Sequence, residues 1–455
     1  MILDRKICQK ARLSRDARFD GKFFTAVKTT GIYCRSICPV SPPKEENVSY
    51  FDSAIECAQA GYRPCLRCRP DSAPNSPAWK GVNATLDRAL ALIDQGCLQE
   101  HSLAYLAERL GISDRYLRQL FKRHLGTSAK NYALYQQCLF AKHLLHQTKL
   151  PITEIALASG FDSVRRFNDC FKKQLQLTPS QLRKSTQASD NKITVKLYYQ
   201  PPYNWPVMQA TLAARAIDKL EWCTKESYGR SFTWQNSHGY FTATHLAEQN
   251  CFEVNIVISE ISQLKAVTHN IKRILDLNAD LQHIESDLKH CLPSTFTFNS
   301  GIRLPGIWQL FEAGVRAILG QQISVAAART LVSQLVDNLG EPYGDMRLFP
   351  SPHAIANSDL AFFKMPQARK NTLKNLANFY LEHQDNSEPQ QWLALKGIGP
   401  WTVNYAQMRG LSDPDIFLGA DLGVKKALAQ SHHEFSPEQA APWRSYLTFQ
   451  LWSQL

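Results

Sequence analysis

The 455-residue sequence has no apolar stretch approaching the ~18 residues needed to cross a bilayer. It also has no N-terminal segment that joins a basic start to an apolar run of about 7–15 residues. These absences speak against a membrane protein and predict a soluble chain that stays in the compartment where it is made, the cytoplasm. Acidic residues are in short supply, 40 Asp and Glu against 52 Lys and Arg, for a formal charge of +12. The shortage is local: residues 1–187 hold 29 basic and 16 acidic side chains, and the remainder holds 23 and 24. A basic front half favours a polyanion through phosphate neutralisation and counterion release. The near-neutral back half must bind any nucleic acid through a local patch and backbone groups. Of the 12 cysteines, none form a C-terminal run of four that could hold an iron–sulfur cluster. Four lie close together in the sequence and eight are scattered, which points to a reducing compartment and to metal rather than disulfides. With 44% hydrophobic and 20% charged residues the composition is that of ordinary soluble folds, and the length suits three or four domains at ~150 residues each.

The clustered cysteines are Cys34-x3-Cys38 and Cys65-x2-Cys68, with 26 residues between the pairs. Two short-spaced pairs bring four soft ligands together at little cost, the arrangement tetrahedral Zn²⁺ takes at about 2.3 Å per sulfur. Spacing alone leaves open a purely structural zinc ribbon. The surrounding residues, Asp20 to Cys34, Glu46-Asn47-Val48 and Arg63-Pro64-Cys65-Leu66-Arg67-Cys68, resemble the N-terminal methyl-acceptor domain of the Ada-type adaptive-response regulators. That resemblance implies one Zn²⁺ on Cys34, Cys38, Cys65 and Cys68, with Cys34 accepting a methyl group from a DNA methylphosphotriester. Exchange of thiolate for thioether removes negative charge next to the metal, which would raise affinity for DNA. One departure stands out. Where the family places arginines after the second cysteine, this chain reads Cys38-Pro39-Val40-Ser41-Pro42-Pro43-Lys44-Glu45, which weakens the expected phosphate contact. No Pro-Cys-His-Arg acceptor motif occurs, so the family's second methyl-acceptor module is absent.

Residues 81–184 read as helical. Leu103 to Ser113 gives a short helix, a glycine turn and an N-cap serine, followed by a basic helix from Asp114 to His124 carrying Arg115 and Arg118. The pattern recurs as Ile152 to Ser159, the turn Gly160-Phe161-Asp162-Ser163, and a helix from Val164 to Leu175 carrying Arg165 and Arg166. A helix, a glycine turn and a basic helix is the shape that lays a recognition helix in a major groove. Two such units, closed by Leu177-Thr178-Pro179-Ser180-Gln181-Leu182-Arg183, resemble the AraC-type DNA-binding domain. Arg115, Arg118, Arg165 and Arg166 are the expected contacts to double-stranded DNA, and RNA polymerase is the further partner if the domain activates transcription. A polar, unpatterned linker is expected over Ser185–Asn191.

Near the C-terminus, Leu395-Lys396-Gly397-Ile398-Gly399-Pro400-Trp401 reads as a helix, a glycine-rich turn and a second helix, with Asp421 twenty residues on. Such a turn aims backbone N–H groups at an anion. Gly397 and Gly399 would let that backbone come close to a phosphodiester, and Asp421 would face what the turn holds. The segment resembles the helix-hairpin-helix glycosylase superfamily, specifically the AlkA-type 3-methyladenine DNA glycosylase II. The likeness runs from about Ile193 to Leu455 through Tyr199-Gln200-Pro201-Pro202-Tyr203, Leu212-Ala213-Ala214-Arg215-Ala216, Leu304-Pro305-Gly306 and Arg316 to Gln322. It implies that Asp421 stabilises an oxocarbenium-like sugar and helps orient the attacking water. It also implies that Trp401, Tyr405 and Trp452 stack on an electron-poor alkylated base. Trp401 stands at the position where bifunctional members carry a Schiff-base lysine, so simple hydrolysis is expected. Gln322 stands where the family's best-known form places a DNA-wedging leucine, and an amide wedges less by apolar contact. Hairpin carbonyls near Leu395 and Ile398 are candidates for a monovalent cation.

The combined expectation is a multidomain chain, mainly α with α+β parts. Residues 1–75 form the zinc and methyl-acceptor domain and 80–186 the all-α double helix-turn-helix domain. Residues 192–288 form an α+β subdomain and 289–455 the all-α helix-hairpin-helix domain. Residues 193–199, 232–234 and 251–258 are predicted strands, with helices from Gly301 onward. The expected function is hydrolytic removal of alkylated bases joined to methyl-sensing regulation, in a monomer. The alternative is a methylation-switched activator with a weak or degenerate glycosylase part.

Overall fold

The computed structural model describes residues 4–15, 19, 22–38, 40–65, 68, 70, 84–183, 193–293, 296–383, 388–431 and 436–454. The linker expected over Ser185–Asn191 lies outside them, as do Asp20, Gly21, Leu66 and Arg67 of the cysteine-domain motifs. The chain divides into two compact units, Met1–Val195 with Glu260–His269, and Lys196–Ser259 with Asn270–Leu455.

The first unit opens with helix Arg5–Ser14 and a four-stranded sheet in the order β3-β1-β2-β4. Its strands are β1 (Phe24–Val27), β2 (Ile32–Arg35), β3 (Val48–Phe51) and β4 (Arg63–Pro64). Every residue of β1 is buried: Phe24 and Ala26 pack with Tyr33 and Cys57. The neighbouring Phe23 packs with Cys8 and Ala11 of the first helix. Strand β4 runs parallel to β2, pairing Ile32 with Arg63 and Tyr33 with Pro64. That pairing places Cys65 beside the strand that carries Cys34.

An all-α part follows. Ser102, Ser113, Ser128, Ser163 and Thr178 each cap a helix by accepting a backbone N–H, a contribution of ~1 kcal/mol apiece. The helix-turn-helix units form as read, Leu103–Arg109 with Asp114–Leu125 and Ile152–Ala158 with Val164–Leu175. Their turns use Gly111 at φ +67° and Gly160 at φ +82°, a region open to glycine. Leu117, Phe121 and Leu125 on one basic helix, and Phe167, Phe171 and Leu175 on the other, are buried. The arginines are thereby left on the outer faces.

A five-stranded sheet ordered β5-β9-β8-β7-β6 lies in the second unit, apart from the first three residues of β5. The strands are β5 (Ile193–Tyr198), β6 (Glu221–Cys223), β7 (Ser227–Trp234), β8 (Ser237–Leu246) and β9 (Cys251–Ile258). Strand β7 begins five residues before the expected Phe232, because Arg230 and Ser231 are buried polar residues rather than loop residues. Arg230 forks onto Glu312 at 3.1 and 2.9 Å, and Arg316 reaches Glu221 at 2.7 Å. Polar letters in the sequence therefore conceal a buried ionic strand. The segment after Gly301 has no helix until Leu310–Gly320 begins, and Pro342–Tyr343 (β10) and Met346–Arg347 (β11) form a small hairpin around Gly344. Both depart from the all-helical expectation. Helix Leu310–Gly320 packs against Gln367–His383 and Pro400–Gly410 around Phe311, Ile318, Leu376, Trp392 and Val403.

Candidate functional site

Helix Pro400–Gly410 starts at Gly399 without a side-chain cap. Pro400 has no N–H and Thr402 N–H donates to the Gly399 carbonyl at 3.0 Å, so in the first turn it is the Trp401 N–H that is left for an anion. The two hairpin glycines differ in purpose. Gly397 sits at φ +94°, and a Cβ there would meet Thr372 Oγ1 at 2.0 Å. Gly399 has an ordinary extended backbone and nothing within 4 Å of a built Cβ. The fold itself thus excludes a side chain at Gly397, whereas at Gly399 the space is open. Gly397→Ala should destabilise the protein by about 1–3 kcal/mol in a denaturant titration. Gly399→Ala should leave stability within ~0.5 kcal/mol but weaken DNA binding in a filter or anisotropy assay. The Leu395 carbonyl already accepts the Ile398 N–H at 3.1 Å.

Asp421 is half-buried at the start of helix Leu422–Ser431. Its Oδ1 accepts N–H bonds from Gly423 at 2.9 Å and Val424 at 3.2 Å, so it does cap that helix. Two indoles complete its shell. Trp452 Nε1 donates to Oδ1 at 2.9 Å, and Trp401 Nε1 donates to Oδ2 at 3.3 Å. Oδ1 is thus saturated by three donors, and Oδ2 is the oxygen with room for a reacting partner. Gly423 makes this possible, since a Cβ there would lie 3.1 Å from both Asp421 Oδ1 and Trp452 Cδ1. Trp401 stacks on Tyr405 with ring centroids 5.3 Å apart. The Arg409 guanidinium, which burial pulls down to about 10, lies beyond the Tyr405 ring at 5.7 Å. Arg215 sits 6.0 Å above the Trp452 ring. Arg215 and Trp452 border a cavity of about 100 Å³ with Met208, Thr211, Pro305 and Phe449. Trp401, Tyr405, Trp452 and Asp421 therefore meet in one site. Gly423 and Arg215 belong to it as well, although no signal in the sequence marks Gly423.

In the first unit, the Sγ atoms of Cys34, Cys38, Cys65 and Cys68 all lie within 4.8 Å of one another. Cys65 N–H bonds to the Tyr33 carbonyl at 2.9 Å, and Arg35 N–H points at Cys68 Sγ at 3.3 Å. So close together, the sulfurs compete for protons. Contacts with Cys38 and Cys65 push Cys34 far above the ordinary thiol range, whereas contact with Cys34 pulls Cys65 far below it. A dication would relieve that competition by holding all four as thiolates, and the donor set is the one zinc prefers. Cys34 and Cys38 are partly exposed, while Cys65 and Cys68 are buried. A cavity of about 180 Å³ opens beside Cys34, lined by Val27, Ile32 and Val40 with Arg12 and Arg15 at its wall. Of these two arginines, Arg12 is buried and bound to Glu45 at 2.8 Å and Arg15 caps the end of the first helix; the loop after Cys38 supplies none.

On the recognition helices, Arg118 is paired with Asp114 at 2.7 Å and Arg166 with Asp162 at 3.4 Å. Arg115 and Arg165 are exposed and make no ion pair among the described residues.

Residues 7–71 match the metal-binding domain of Ada, 106–185 a helix-turn-helix domain and 194–309 the AlkA N-terminal domain. The probable bifunctional transcriptional activator/DNA repair enzyme AlkA of Mycobacterium tuberculosis is 34% identical, covering 98% of this chain and 96% of its own. The chain belongs to the AlkA family of bifunctional activator/repair proteins. The DNA-3-methyladenine glycosylase 2 of Escherichia coli is 32% identical over 56% of this chain and 95% of its own. The bifunctional transcriptional activator/DNA repair enzyme AdaA of Bacillus subtilis is 31% identical over 42% of this chain and 87% of its own. The AlkA-family chain is therefore a fusion of an Ada-type zinc domain, a helix-turn-helix domain and an AlkA-type glycosylase, and its metal is one Zn²⁺ on the four cysteines. No helix among its described residues is long and apolar enough to cross a membrane.

Proposed function

We propose that this protein excises alkylated bases from double-stranded DNA by hydrolysis and reports DNA methylation through Cys34 to its helix-turn-helix domain. The observation that carries the first half is Asp421, set one helix away from the hairpin N-terminus and held by two indole N–H groups. As the glycosidic bond lengthens, positive charge grows on the sugar, and the carboxylate Oδ2 faces that charge. A water adds to the sugar carbon, its proton passes to solvent with help from Asp421, and the base leaves. An already cationic base needs little acid catalysis. Tyr405 and the indoles would hold it by stacking and cation–π attraction. With Trp401 donating to Asp421, no amine occupies that position to form a Schiff base, so the reaction ends at an abasic site. The complete site favours this reading over a degenerate glycosylase part. Release of free base from methylated DNA, lost in Asp421→Asn, tests it.

The second half rests on the exposed side of the cysteine cluster. Zn²⁺, when bound, keeps the thiolates deprotonated yet nucleophilic at neutral pH. Cys34 Sγ attacks the methyl carbon of a methylphosphotriester, the carbon–oxygen bond breaks, and a phosphodiester anion leaves. Promoter DNA, and RNA polymerase where the domain activates, are the partners this implies. Arg115→Ala and Arg165→Ala should each weaken DNA binding and reduce the slope of log K against log salt by about 1. Unchanged slopes would remove them from the DNA contact.

A further inference from the structure

The wedge residue Gln322 is exposed and holds a left-handed backbone, φ +60°. For a side chain other than glycine this conformation costs of order 1–2 kcal/mol, so it persists where the surroundings impose it. The preceding residue supplies the constraint. Gln321 Nε2 donates to the Gly397 carbonyl at 3.1 Å and to Thr402 Oγ1 at 3.0 Å. The Gln321 carbonyl accepts from Arg369 at 3.1 Å. Gly397 belongs to the hairpin turn, and Thr402, 1% exposed, to the first turn of the helix that would hold phosphate. Thr372, next in line on the helix that carries Arg369, donates to the Lys396 carbonyl at 3.2 Å from the other side of the turn. The loop of Gln322 and the hairpin turn are therefore tied by one amide, across 76 residues of sequence.

We infer that Gln321 is a positioning residue that fixes the wedge Gln322 at a set offset from the phosphate clamp, so that gripping the backbone drives the wedge into the base stack. This rests on the base-excision reading above. Extruding a base from a duplex costs a few kcal/mol, which a wedge must offset, whereas a base in a single strand is already unstacked. A loosened wedge should thus cost activity on duplex and little on single strands. A change that simply damaged the fold or the Asp421 site would lower both alike.

The test uses the full-length protein, Gln321→Met (similar volume, no donor) and Thr402→Val (similar shape, no hydroxyl). Single-turnover base release is measured from dimethyl-sulfate-methylated DNA, offered as a single strand or annealed to its complement. Each variant is expected to lose about tenfold on the duplex and less than twofold on the single strand. The double variant should be little worse than Gln321→Met alone, because the bond that Thr402→Val removes is one of the two that Gln321→Met already removes. A 2-aminopurine next to the lesion should brighten less with Gln321→Met than with wild type. Equal losses on both substrates, or no loss on either, would overturn the proposal alone. A wild-type protein that releases no base from either substrate would overturn the excision reading and the proposal with it.

Discussion

Asp421→Asn is expected to lower the release of 3-methyladenine from methylated DNA by about 10³-fold or more, with DNA affinity kept within a few fold. The choice of asparagine follows from the double duty of this residue. Asp421 Oδ1 caps helix Leu422–Ser431 through Gly423 and Val424, and an asparagine oxygen caps about as well. The substitution therefore removes the charge and keeps the helix. It also replaces Oδ2 by an amide NH₂ facing the Trp401 N–H, which removes the acceptor on the side where sugar charge would develop. Stability should change by no more than about 1 kcal/mol, so lost release cannot be ascribed to unfolding. Alanine would confound the two effects by uncapping the helix. Should Asp421→Asn release base at the wild-type rate, another group performs the chemistry.

Exposure to DNA carrying methylphosphotriesters should raise the intact mass by one methyl group, and peptide mapping should place it on Cys34. Cys34→Ala should gain none. Four thiolates around Zn²⁺ carry a net charge of about −2, and one thioether makes it about −1, so methylation should strengthen promoter binding most at low salt. Removal of the metal is the companion experiment. Structural zinc contributes ~10–16 kcal/mol of apparent binding energy, as much as the whole stability of a typical domain, ~5–15 kcal/mol. Cys65→Ala or a strong chelator should therefore unfold the sheet that carries β2 and β4, seen as loss of Tyr33 burial, while base release persists. Methyl uptake by no cysteine would leave the cluster a structural zinc site.

Helix boundaries were legible where local chemistry sets them. Ser163 and the Gly160 turn mark the start of Val164–Leu175, and alternation marks Ile193–Tyr198. Strand β7 was half-visible, because Arg230 looks like a surface residue until Glu312, 82 residues away, neutralises it. In the site, Asp421 and Trp401 stand out by spacing and resemblance. Gly423 does not, since its role appears only when the Trp452 indole packs over it. Gln321 falls within the Arg316–Gln322 motif, yet nothing in its neighbours says that its amide spans to the hairpin. Such ties lie between segments far apart in sequence, and no local pattern records them.

The hairpin turn depends on its neighbours. Its backbone is braced from outside by Thr372 on one side and Gln321 on the other, and Gly397 has no space for a side chain because Thr372 fills it. Leu395–Trp401 is thus no portable cassette. Grafted onto another pair of helices, these seven residues would keep their glycines and lose their braces. A transplant that is to grip DNA must carry the helix of Arg369 and Thr372 along with it.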